Sequence, residues 1–140
     1  MHFQAITGWH DHIVAGCQYL KTASNGMTRR SVFSNEVIFQ LAAMAIEKLM
    51  VGVCQYHQQM PADNTLTGLV AALSEVCPLD ADLAGMITRI EKVDDMCSLT
   101  PERRQPPGDL DIEAILIAGR EIVGFAKQHV PWDACGAAAT

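Results

Sequence analysis

Apolar residues recur with helical spacing along almost the whole of this 140-residue chain. Ile13, Cys17 and Leu20, with Val14 beside them, mark a first helix from about Gly8 to Ser24. Thr7 is placed to cap it, and Asn25-Gly26 to turn the chain after it. The longest pattern runs from about Ser31 to Gln59. Ile38, Leu41, Ala45, Leu49, Val53 and Tyr56 form one stripe, and Val37, Met44 and Val51 widen it. A helix apolar over so much of its circumference belongs at the centre of the molecule. Ala42, Ala43, Ala45 and Gly52 allow close neighbours. Ser31 or Ser34 is placed to cap this helix. Met60-Pro61 ends it, because the residue before proline avoids the helical region.

A short helix is expected from about Thr65 to Val76, with Leu66, Leu69, Val70, Leu73 and Val76 as its apolar set. Pro78 closes it. A fourth runs from about Asp80 to Cys97, burying Leu83, Ile87, Ile90, Val93 and Cys97 and turning Glu91, Asp94 and Asp95 to water. A loop rich in proline and charge spans Leu99 to Gly108. The last helix covers about Leu110 to His129, with Ile112, Ile115, Leu116, Gly119, Ile122, Val123 and Ala126 inward. No stretch alternates like a strand, and nothing repeats. The expected fold is all-α: an antiparallel up-and-down bundle of four main helices plus one short helix. It forms a single domain over residues 8–130, followed by a flexible tail at 131–140.

Composition narrows the function classes. Hydrophobic residues make up 49% of the chain, too many for a disordered segment. Ten basic against sixteen acidic residues give a net charge of -6, which disfavours long-range attraction of nucleic acid. Arg29-Arg30 and Arg103-Arg104 are isolated pairs, not a basic stripe. The five cysteines are widely spaced and odd in number, and no signal peptide precedes them. They fit a reducing, cytoplasmic setting in which Cys17, Cys54, Cys77 and Cys97 are small core residues. Gln40 and Glu47-Lys48 interrupt the longest apolar stretch, so no membrane span is expected. The apolar second helix and the sparse charge leave room for a homodimer face.

Few residues carry candidate chemistry. No HExxH, glycine-rich phosphate loop or nucleophile elbow occurs, and no catalytic residue is assigned. His10, His12 and His57 are the candidate metal ligands. His10 and His12 stand two apart, so on a helix they diverge by roughly 200°, whereas helical metal pairs use i and i+3 or i+4. His129 is expected at the solvent-exposed end of the last helix. Glu36, Gln40 and Glu47 recur at spacings of four and seven, which places them on one face. That face is a ligand-binding groove, a solvated surface or the support of a dimer. No cofactor is expected.

Ala45-Ile46-Glu47-Lys48-Leu49, followed by Pro61-Ala62-Asp63-Asn64-Thr65-Leu66-Thr67-Gly68-Leu69, resembles the HEPN superfamily of small helical bundles. Ala45, Glu47 and Lys48 match its Ala-x-Glu-Lys stretch. Pro61, Leu66 and Leu69 match its proline turn and His-Asp-Leu-x-x-Leu helix start, with Asn64 and Thr65 replacing the histidine and aspartate. The resemblance spans about Gly8 to Lys127. Many such proteins are metal-independent ribonucleases that use an Arg, four to six residues, then a His. Here Arg89, Arg103 and Arg104 have no histidine before His129, and Arg120 precedes it by nine positions. The resemblance therefore implies a non-catalytic interaction or regulatory protein, partnering a minimal nucleotidyltransferase or a toxin-antitoxin component. A divergent ribonuclease and a small-molecule- or metal-binding bundle are the alternatives.

Overall fold

The computed structural model describes residues 8–61, 63, 65–97 and 106–131, without the side chains of Met96 and Cys97. Thr7, Asn64, Arg103, Arg104, the Cys97 side chain and the expected tail beyond Pro131 lie outside the described residues. Five helices follow one another: α1 (Trp9–Gly26), α2 (Asn35–Tyr56), α3 (Leu66–Ser74), α4 (Ala81–Cys97) and α5 (Asp109–His129). Among the described residues there is no strand.

The helix ends follow local chemistry. The Ser34 hydroxyl accepts from the Val37 N–H at 3.2 Å, so α2 starts after Ser34 rather than Ser31. Thr65 caps α3 in the same way through the Gly68 N–H at 3.0 Å. At α5 the cap is Gly108, whose N–H donates to the Asp111 carboxylate at 2.8 Å. A glycine offers no side chain to return that bond. Asn25-Gly26 does not stop α1. The helix runs through Gly26, which is buried against Phe33 and Ile38.

α2 is the axis of the bundle. It packs against α1, α5 and α3, while α4 closes on α3 and α5. The consecutive pairs α1–α2, α3–α4 and α4–α5 are antiparallel. α2 and α5 run in the same direction, tied at both ends. Asn35 donates to the Pro107 carbonyl and the Asp109 carboxylate, both at 3.1 Å, and His57 bonds the His129 carbonyl at 2.8 Å. The core holds Ile13, Phe39, Ile46, Leu49, Met50, Leu69, Ile87, Ile115 and Ile122, all essentially without exposed surface. Burial of such side chains contributes about 1.5–3 kcal/mol each.

One expectation needs correction. α2 is, by length and composition, apolar enough to cross a membrane, with a mean hydropathy of 1.8 over its most apolar window. Its alanines and valines outweigh Gln40 and the adjacent Glu47 and Lys48. Ten of its residues are buried within the bundle, which is the position of a core helix.

Candidate functional site

Among the described residues, polar side chains gather at a groove on the flank of α2 and at the end of the bundle where α2 stops. The first is a groove of about 410 Å³ between α2, the start of α3 and the last turns of α4. Gln40 and Glu47 line it, as does Met44, which lies between them on α2. Glu36, one turn before Gln40, lies outside its walls. The opposite side comes from α4. Glu91, Asp94 and Asp95, expected to face water, all line the groove; Asp95 is exposed as expected, whereas Glu91 and Asp94 are half-buried. The reason is local bonding. The Gln40 amide donates to Asp94 at 3.1 Å, and the Thr67 hydroxyl donates to Glu91. These bonds hold carboxylates against the bundle that a lone helix would release to solvent. Ala43, Met44 and Leu66 supply the apolar part of the lining.

Charge sets what this groove admits. Glu47, Glu91, Asp94 and Asp95 line it, and among the described residues no lysine or arginine does. It repels phosphate and favours cationic groups. Its apolar lining adds contact for an aliphatic stem such as that of lysine or arginine.

The second place is the end of the bundle where α2 stops. His57 is the C-cap of α2. It does not meet His10 or His12. His10 is exposed, with its ring edge-on to Trp9 at 5.7 Å. The His12 ring bonds the Gly8 carbonyl at 2.8 Å and so steadies the first turn of α1. His57 converges instead with Cys77 and His129, and one ligand atom from each lies within 4.8 Å of the others. His129 is not solvent-exposed as expected. It is half-buried, with its ring 4.5 Å from Phe125 and 6.4 Å from His57. Sequence reading missed this trio because its members lie 20 and 52 residues apart. The signal was positional: each stands at or just beyond a helix C-terminus.

Burial raises the Cys77 thiol above its ordinary range. The deeper Cys54 is pushed up from 9.0 to about 11, by burial first and by the neighbouring Cys77 second. Both remain protonated thiols at neutral pH. Cys17, Cys54 and Cys77 are all buried, as small core cysteines should be.

Among the described residues no hydrogen bond pairs an arginine with a histidine. Arg120 and His129 are both on α5, and nine residues turn a helix by about 900°, which is half a revolution past two full turns. The two side chains therefore leave opposite faces. Arg89 is exposed on α4, beside Asp111 of α5. No family model, no curated protein and no solved structure matches the chain.

Proposed function

We propose that this chain is a non-catalytic, HEPN-like helical bundle that works by association, receiving a basic segment of a protein partner in the groove between α2 and α4. The observation that carries this reading is the groove itself. It has about 410 Å³ of room, an acidic lining from Glu47, Glu91, Asp94 and Asp95, and apolar contact at Ala43, Met44 and Leu66. A lysine or arginine side chain fits that combination, with its stem on the apolar surface and its cation among carboxylates. The net charge of -6 steers the same class of partner over longer distances. The resemblance suggests a minimal nucleotidyltransferase or a toxin-antitoxin component as the source of the segment. A ribonuclease reading is disfavoured by the opposite faces of Arg120 and His129 and by the acidic lining.

A titration followed by amide NMR tests the reading. One probe is a soluble peptide alternating lysine and leucine; the others are its glutamate counterpart and a short single-stranded RNA. The lysine peptide should shift amides around Ala43, Met44, Leu66 and Glu91. Combined Glu47→Gln, Glu91→Gln and Asp94→Asn substitution should weaken it at least about tenfold, the loss of roughly 1.4 kcal/mol. Shifts spread evenly over the acidic surface would overturn the reading. So would RNA binding at the groove, or metal-free RNA cleavage lost on changing Arg120. Sedimentation with and without the Arg29→Glu and Arg30→Glu substitutions shows whether a second copy supplies the basic segment.

A further inference from the structure

We propose that His57, Cys77 and His129 form a metal-binding site for a zinc-class cation, in which two imidazoles and one thiolate clamp the ends of α2, α3 and α5 together.

The donor set is the first ground. One ligand atom from each of the three residues lies within 4.8 Å of the other two. In a tetrahedral zinc site, with metal–nitrogen and metal–sulfur bonds of about 2.0–2.1 and 2.3 Å, the donors stand roughly 3.3–3.6 Å apart. Closing that difference takes a movement of little more than about 1 Å, within the reach of side-chain rotation. Imidazole and thiolate together suit zinc, whereas calcium and magnesium require oxygen donors. Three protein ligands leave the fourth tetrahedral position for water or an external ligand.

The hydrogen bonding of His57 is the second ground. Its Nε2 lies 2.8 Å from the His129 carbonyl oxygen. A carbonyl only accepts, so Nε2 carries the proton and Nδ1 keeps its lone pair. A backbone carbonyl holding the second nitrogen is the usual support of a metal-bound histidine, because it fixes tautomer and ring orientation. The rings on either side add to it. Tyr56 stands edge-on to His57 at 5.1 Å, and Phe125 lies 4.5 Å from His129.

The third ground is the backbone. His57 caps α2 and His129 is the last residue of α5, so the carbonyl ends of two helices meet here. Cys77 follows α3 through a turn closed by its own N–H on the Leu73 carbonyl at 2.6 Å. Helix C-termini carry partial negative charge and favour a cation. The end of α2 is also conformationally specified. Gln58 adopts a left-handed φ of 58°, and the Gln58 and Gln59 N–H groups bond the Gln55 and Cys54 carbonyls at 3.1 and 2.8 Å. That stop fixes where the helix ends and where the His57 ring is placed.

Binding balances simply. Two neutral imidazoles and one thiol take up one Zn2+, and the Cys77 S–H bond gives its proton to solvent. About one proton is released per ion, and binding tightens as pH rises. The site is independent of the groove, and either proposal stands if the other fails.

The experiment uses the full chain without a histidine tag. Zinc is measured after dialysis, and affinity by competition with a chromophoric chelator. Cobalt replaces zinc for spectroscopy. The expected result is one zinc per chain and a tetrahedral cobalt spectrum with a thiolate charge-transfer band. Cys77→Ser should abolish that band. Cys77→Ser and His129→Gln should each weaken zinc by more than the roughly 10–100-fold that loss of a supporting hydrogen bond costs. His10→Ala and His12→Gln should leave affinity unchanged. Zinc should raise the Tm of the wild type but not of Cys77→Ser. Circular dichroism and unfolding in chelator check that each metal-free variant still folds. If Cys77→Ser fails to fold, the cobalt spectrum of His129→Gln and of the wild type decides. Absence of zinc binding in the wild type, a cobalt spectrum without thiolate character, or affinity unchanged in both ligand variants would overturn the site.

Discussion

The two flanks of α2 are built on opposite terms. Toward α1 the helices touch backbone to backbone. A Cβ added at Gly52 would stand 2.6 Å from Ile13 Cδ1 and 3.1 Å from the Trp9 carbonyl oxygen, and one at Gly16 would stand 2.6 Å from Leu49 Cγ. Toward α4 the same helix leaves a groove of about 410 Å³, bridged by the Gln40–Asp94 bond at 3.1 Å. Small residues facing apolar partners close the first seam and expel water. On the second, Glu91, Asp94 and Asp95 hold a polar wall that cannot close without desolvating carboxylates. One helix thus anchors the fold on one side and leaves an open acidic groove on the other.

The largest test of that contrast is steric. Gly52→Val should lower stability by about 3 kcal/mol, the upper range for overpacking a filled interior. Ala43→Val, on the groove side of the same helix, should change it by no more than about 0.5 kcal/mol. Urea unfolding of both variants measures the difference. Equal losses would mean that the α4 flank is as tightly packed as the α1 seam.

The next largest effect is a pH dependence confined to the closed interior. Well below pH 9 Cys54 is a neutral thiol in both the folded and the unfolded chain. Between 9.0 and about 11 the unfolded thiol ionises while the folded one stays neutral. The thiol therefore supports the fold at lower pH, and that support is lost as pH rises through this window. The slope is at most about 1.4 kcal/mol per pH unit for one group. Cys54→Ala should flatten the slope, though it costs stability at neutral pH through the cavity it leaves. A slope unaltered in Cys54→Ala would place the titrating group elsewhere.

Much of this arrangement was legible before the fold was known. The period of Ile38, Leu49 and Val53 gave α2 its central place, and Ser34 and Thr65 marked the starts of α2 and α3 through short-range chemistry that needs no tertiary partner; the end expected at Met60-Pro61 lies too far along, because α2 stops at Tyr56 ahead of the left-handed Gln58. The shared face of Gln40 and Glu47 followed from their spacing, whereas the choice between groove and open surface depended on where α4 lies. Glu91 and Asp94 were misplaced because an isolated helix sends its acids to water, and only contact with Thr67 and Gln40 holds them in. The His57–Cys77–His129 trio was hidden for a related reason. Local spacing detects ligands on one helix, but these three are gathered by α2 and α5 running parallel.

At the end of α2, Gln58→Gly probes a smaller effect. The left-handed φ of 58° suits glycine better than any residue with a Cβ. The substitution should raise stability by about 0.5–1 kcal/mol, less whatever the glutamine side chain contributes. A clear loss in urea unfolding would show that this side chain outweighs the backbone preference, and would make the stop of α2 a matter of tertiary contact.

The smallest expected effect returns to the open flank and separates repulsion from packing. Glu47 shares the groove with Glu91, Asp94 and Asp95, so like charges face one another across it. Glu47→Gln keeps the shape and removes one charge. It should raise stability by about 0.5 kcal/mol or less at low ionic strength, because exposed charge interactions are weak. The gain should fade as salt shortens the screening length. Glu113→Gln, at an exposed site on α5, serves as the control and should change little at any salt concentration. If Glu47→Gln instead destabilises the bundle equally at low and high salt, Glu47 is held by short-range bonding. The groove would then be a satisfied polar seam rather than an acidic surface awaiting a cationic partner.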